Sequence, residues 1–216
     1  MKQQRAIATR EALVLSASRV FAAGGYRAAT LSQISADAQV TQGALYFHFR
    51  SKKDLAAEVI RQQHELSIAV GQSCLENCTS GVEGMVLLSG ALAAQIQSNP
   101  IVQAGLRLST ESASDLADAS VAPYVEWIST SRLFFEKAEL QNELVRDLDV
   151  GMAAEVVISS FSGTQFVSVA LAGGVDLFDR LARMWTVLLP ALVGGDRDVI
   201  SRVPELLRSG SQLMVE

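Results

Sequence analysis

Thr41, Gln42, Tyr46, His48 and Lys52 fall in one short stretch, VTQGALYFHFRSKKDL at residues 40–55. Their hydroxyl, amide, imidazole and ammonium groups are donors of the kind that hold phosphate oxygens and reach base edges in a DNA groove. Gly43, lying among them, lets a backbone approach a polyanion closely. Covalent catalysis would need a different set. His48 and His64 are the only two histidines, and neither has a serine, cysteine or carboxylate at a recognisable motif spacing. We therefore expect a binding protein and not an enzyme, and nothing in the sequence asks for a cofactor. Cys74 and Cys78 stand four apart on one helix face, and two ligands do not make a metal site. Ordinary reduced thiols are the expectation, with a redox pair as the alternative.

The charge distribution points the same way. The formal total of −5 divides into +6 over the first 53 residues and −11 over the remainder. A cationic front end on an acidic body suits a polyanion-binding head, although a merely solvated basic face has the same signature. Apolar residues make up 49% and charged residues 19% of the 216 residues, which excludes a disordered chain and predicts a sizeable core.

Those donors need elements to position them. Apolar residues recur at three and four positions in nearly every window, which reads as an all-α fold. Residues 3–23 predict a first helix with Ala6, Leu13, Ala17, Val20 and Phe21 inward, closed by Gly24-Gly25 with Tyr26 as an anchor. Thr30 with Gln33 forms a capping-box pattern that starts a helix over 31–38. Gln39 and Val40 make the turn, and Thr41 caps a third helix with Ala44, Leu45 and Phe49 inward. Two short helices joined by a tight turn are a helix-turn-helix. Phe47 is assigned with Phe49 to the small core. Ser51 caps a long fourth helix to about residue 77. Further helices are predicted at 81–98, 101–109, 121–141, 150–172, 176–193 and 197–208, with 109–120 as a loop. The expected domains are 1–51, a helix-turn-helix head, and 52–216, a larger α-helical ligand-binding and dimerisation domain.

The segment TLSQISADAQVTQGALYFHFRSKKDL resembles the DNA-binding signature of the tetracycline-repressor (TetR) family. Its core, V-T-x-G-A-L-Y-F-H-F-x-S-K-x-x-L, is similar to that of γ-butyrolactone autoregulator receptors of antibiotic-producing actinomycetes. QAGLRLS at 103–109, PYVEWIS at 123–129 and FSGTQFVS at 161–168 carry the same likeness into the body. Gln42 departs from it, standing where those receptors usually have lysine. The resemblance implies a homodimeric repressor on a pseudo-palindromic double-stranded operator, released by a small effector and controlling antibiotic or secondary-metabolite genes. The expected DNA-facing residues are Arg5, Arg10, Thr30, Ser32, Thr41, Gln42, Gly43, Tyr46, His48 and Lys52. A pseudo-receptor answering to an antibiotic or its intermediate, or a drug sensor, is the alternative in the same class. A DNA-bound architectural dimer with no ligand is a further one.

Two long uncharged stretches, Gly84 to Leu106 and Val156 to Val175, could span a membrane by length. Gln95, Gln97, Asn99, Pro100, Ser159, Ser160, Thr164 and Gln165 argue against that, because hydrocarbon penalises them and a protein interior can pair them. No membrane partner is expected. The N-terminus lacks an apolar run long enough for a signal peptide, so the expected location is cytoplasmic. An uncharged interior favours a neutral, lipophilic ligand, and the resemblance implies that it is a lactone or butenolide-like molecule. Met85, Leu88, Leu92, Val157, Phe161 and Trp127 are its expected walls, and Thr164, Gln165 and either His64 or Gln63 its hydrogen-bonding groups. Trp127 is a wall by resemblance and core by default; Trp185 goes to core or dimer packing. Ser159, Gly163, Val167 and Ala170, with the stripe Leu177, Leu181, Met184, Leu188 and Leu192, suit a four-helix dimer interface, or alternatively the monomer's own core.

Overall fold

A computed structural model describes residues 2–111, 116–194 and 197–213. Among them the chain is all-α apart from one isolated bridge between Leu144 and Val193. Ten helices follow in order: α1 Lys2–Ala28, α2 Leu31–Asp37, α3 Gln42–His48, α4 Lys52–Asn77 and α5 Gly81–Ser98, then α6 Pro100–Glu111, α7 Ala117–Leu140, α8 Val150–Ala172, α9 Leu177–Leu192 and α10 Asp198–Gln212. They form two compact units. The first comprises Met1–Leu66 and Ser98–Pro123, the second Ser67–Gln97 and Tyr124–Glu216. Beside residues 1–51, the first unit takes in the start of α4, all of α6 and the start of α7.

Within the first unit, Leu13, Ala17 and Phe21 of α1 meet Ile34, Leu45, Phe49, Leu55 and Val59 in one core. Helix α1 breaks where the glycine pair predicts. Gly25 has φ 74° and ψ 173°, a region essentially restricted to glycine. Helix α6 lies along α1, and the Arg107 guanidinium donates to the Ala22 carbonyl at 2.6 Å. A Cβ at Gly105 would stand 2.4 Å from the Gln63 Cβ, so only glycine permits this approach of α6 to α4.

In the second unit Met85, Val86 and Leu88 of α5 join Phe134 and Phe135 of α7, Ala154 and Val157 of α8, and the α9 face. Trp185 is fully buried and donates to the Ser89 hydroxyl at 3.1 Å. Helix α10 crosses α5 at near backbone contact: a Cβ at Gly90 would fall 2.1 Å from the Leu207 carbonyl oxygen. The Lys137 ammonium caps the end of α4 through the Cys78 carbonyl at 2.5 Å. Asp149 caps α8 at its start, and Gly173, at φ 62°, closes it. The expected loop over 109–120 is shorter than predicted, since α6 extends to Glu111 and α7 begins at Ala117; residues 112–115 lie outside the described residues.

Candidate nucleic-acid interface and effector core

Helices α2 and α3 are held by their own caps. The Thr30 hydroxyl accepts from the Gln33 backbone amide at 3.2 Å, and the Gln33 side chain reaches back to the Thr30 amide at 3.0 Å. The Thr41 hydroxyl accepts from the Ala44 amide at 3.2 Å. Between them Gln39 turns the chain with φ 55°, an unusual conformation for a residue with a side chain. The result is a short helix whose Leu45 is buried and whose Thr41, Gln42, Gly43 and Tyr46 are exposed. Thr30, Ser32 and Arg5 are exposed as well, and His48 is half-buried.

Two of the cations expected on DNA are engaged inside the head. The Lys52 ammonium donates to the carbonyls of Tyr26 at 2.9 Å, Ala29 at 3.0 Å and Arg27 at 3.4 Å, and lies 4.5 Å from the Tyr26 ring centroid. It thereby satisfies carbonyls left open by the break at Gly25. Arg10 pairs with Glu58 at 2.9 Å and lies over the Phe49 ring. Burial works to raise the Glu58 carboxyl, but hydrogen bonds from Arg61, Arg10 and Gln62 outweigh it and hold the group at about 2. Asp37 is likewise held below its ordinary range by the Ser16 hydroxyl at 2.6 Å and by Arg19, locking α2 to α1.

Phe47 corrects a sequence expectation. Assigned to the core, it is 81% exposed and meets the His48 ring edge-on at 5.1 Å. Helical geometry explains this: Leu45 and Phe49 sit four apart on one face, and Phe47 falls about 200° around from Leu45. Phe49, at 4% exposure, is core as expected. The periodicity of α3 carried that signal, and the aromatic run obscured it.

The expected effector residues are divided between the units. Met85, Leu88 and Val157 are buried in the second unit's core, with Leu92 and Phe161 packed against it. Trp127 is half-buried and meets Tyr124 edge-on at 4.9 Å; Thr164 and Gln165 are half-buried on α8. His64 and Gln63 belong to the first unit. The second unit's fully buried polar residues are Ser67, Ser89, Gln95, Ser131 and Ser168, with no charged side chain among those described. A cavity of about 360 Å³ opens elsewhere on this unit, lined by Glu139, Asn142, Arg146, Asp147 and Gly194 among others, and it shares no residue with the expected walls. Burial, and then Cys78, raise the Cys74 thiol to about 11, which disfavours the thiolate that redox chemistry would need.

The sequence profile described as bacterial regulatory proteins, tetR family, matches residues 13–59. A second, the tetracyclin repressor-like C-terminal domain, matches residues 79–194, more than half the chain. This chain belongs to the TetR family. The A-factor receptor protein of Streptomyces griseus is 33% identical over 193 residues, covering 88% of this chain and 66% of that protein. A solved γ-butyrolactone receptor (ArpA-like protein) superposes with a TM-score of 0.76 at 28% identity, over 97% of this chain and 99% of that one. The TetR family protein CprB of Streptomyces coelicolor, solved with its operator sequence, gives 0.73 at 28% identity, over 98% of each chain. The present protein is thus a TetR-type DNA-binding regulator close to the γ-butyrolactone receptors, with an N-terminal helix-turn-helix domain and a C-terminal ligand-binding domain.

The proposed dimer faces fare differently in this TetR-type fold. Of the α9 stripe, Leu177, Leu181 and Leu192 are buried with Trp185 and Leu189 in this unit's core, Met184 and Leu188 are half-buried at its edge, and Val187 on the same helix is 75% exposed. The stripe's strong 3.6-residue period reports burial without saying against what. On α8, Ser159, Gly163, Val167 and Ala170 are exposed, along with Met152, Val156 and Phe166. By length and composition alone α8 could cross a membrane, and only 17% of its apolar window is buried.

Proposed function

We propose that this regulator is a cytoplasmic homodimeric repressor that grips a pseudo-palindromic operator and lets go on binding a neutral lipophilic effector of the γ-butyrolactone or butenolide class. The effector reading rests on one observation: α5, α7 and α8 enclose an interior whose buried polar groups are uncharged. Cationic or phosphate ligands would require buried partner charges there. Similarity to the A-factor receptor over most of the chain supports the same class.

On the head, Gln42 reaches a base edge, Gly43 allows close approach, and Thr41 and Tyr46 donate to phosphates. Arg5 adds a phosphate contact from α1, and Ser32 one from the start of α2. Two heads about 34 Å apart match successive major grooves, which is why a second copy is needed. That copy covers α8, where Gly163 has nothing within 4 Å of an added Cβ and so leaves room for a neighbouring helix. The effector binds better to a conformation in which the heads no longer match the groove spacing, and the population shifts accordingly. Antibiotic or secondary-metabolite genes are the targets this class suggests.

The test is a gel shift on duplexes selected from a random pool by the purified protein, followed by a panel of synthetic butanolides and butenolides. The expected result is a palindromic selected site, two chains per duplex, and release by at least one lactone. A monomer at micromolar concentration, or operator affinity unchanged at saturating concentrations of every lactone, overturns the proposal.

A further inference from the structure

Serine inside a helix ordinarily satisfies its hydroxyl on an oxygen, often the carbonyl one turn back. The buried residues Ser16, Ser18, Ser35, Ser89, Ser109 and Ser168 all do so, on carbonyl or carboxylate oxygens. On α7 the exposed Ser129 donates to the Val125 carbonyl. Ser131, two residues later and only 1% exposed, points its hydroxyl instead at the Met85 thioether sulfur, 3.7 Å away. A thioether is a weak acceptor, so a hydroxyl buried on one recovers little of its desolvation cost. Alanine would fill the position with less penalty, unless the hydroxyl has another partner in another state.

Its surroundings say what kind of partner. Ser131 lies one helical turn beyond Trp127, on the same face of α7. Met85 belongs to the apolar cluster that also contains Leu88 and Val157. The hydroxyl is therefore aimed among apolar walls, where a lipophilic molecule would lie and where water would be a poor occupant.

We propose that Ser131 is a specificity-determining donor of the effector site, parked on Met85 in the free protein and turned onto an acceptor oxygen of the ligand when it binds. This rests on the reading that the core between α5, α7 and α8 takes the effector. The ligand class is narrowed to neutral, lipophilic molecules that carry an acceptor oxygen within their apolar part. Ligands of equal size without that oxygen gain nothing from Ser131, which is the physical basis of discrimination.

The experiment titrates the full-length protein with α-octanoyl-γ-butyrolactone and with α-octyl-γ-butyrolactone, which differ by one side-chain carbonyl. Wild type should prefer the keto probe. Ser131→Ala should weaken that probe by about 3- to 10-fold, the size of one neutral hydrogen bond, leave the alkyl probe within about twofold, and melt no lower than wild type. Met85→Leu, which removes the parking site, should strengthen binding of the keto probe. Equal weakening of both probes by Ser131→Ala, no change in either, or no keto preference in wild type overturns the assignment to Ser131 alone. Wild type binding neither probe overturns the effector-core reading beneath it.

Discussion

Both units have an apolar core, and they differ in what ties the helices around it. In the first, elements distant in sequence are tied by charge: Arg10 to Glu58, Arg19 to Asp37, Lys52 to three carbonyls, Arg107 to Ala22. In the second, charge ties Arg202 to Glu83 and Lys137 to the Cys78 carbonyl, but close packing does more: α5 meets α10 through Gly90 and Gly210 at backbone contact. Directional bonds fix orientation, as a helix-turn-helix that must meet a regular groove requires. Non-directional packing suits an interior that must admit ligands of approximate shape. Charge placement therefore tells a structural cation from a DNA-facing one better than charge count does.

The sharpest challenge to the packed unit is Gly90→Ala. Its new methyl would meet a backbone carbonyl and not a movable side chain, so we expect about 3 kcal/mol of destabilisation, read by calorimetry. In the charged unit, Gly25→Ala should cost about 2 kcal/mol, because the side chain disfavours the backbone conformation at the break, and it should weaken operator binding as well. Lys52→Met separates two roles for one cation. If the ammonium serves the Tyr26 and Ala29 carbonyls, stability falls by about 1–2 kcal/mol while the dependence of operator affinity on salt keeps its slope; a phosphate contact would lower that slope by about one.

The Glu58 cluster gives a pH signature. Its folded carboxyl titrates at about 2 against an ordinary 4.5, so its contribution is fully present above 4.5 and is lost as pH falls from there through 2. Acid unfolding followed by circular dichroism should show this loss, and Glu58→Gln should flatten it. The smallest effect should come from Gln42→Lys, which restores the cation of related receptors. We expect tighter operator binding and a salt slope steeper by about one, with no change in melting temperature.

The helix-turn-helix was legible because its signals are local. Thr30 with Gln33, Thr41, and the glycine pair at 24–25 act within one helical turn, and each element they predict is present. Phe47 was misplaced despite an equally local signal, because three aromatics in four positions look like a core until the helical angle is counted. The α9 stripe was legible as apolar but not as to its partner. A period of 3.6 residues marks a face that must be covered and says nothing about whether the cover comes from the same chain.

By itself the sequence determined the all-α class, the helix caps and turn of the head, the segregation of positive charge and the TetR-type signature, since all of these are written in neighbouring residues or in their sums. Only the tertiary structure decided that Lys52 and Arg10 are engaged by groups of the head itself, that α6 falls in the same compact unit as the helix-turn-helix, that α8 exposes Met152, Val156 and Phe166, and that Ser131 meets a sulfur. Those are contacts between residues tens of positions apart. They depend on which faces pack together, and local pattern constrains that choice without making it.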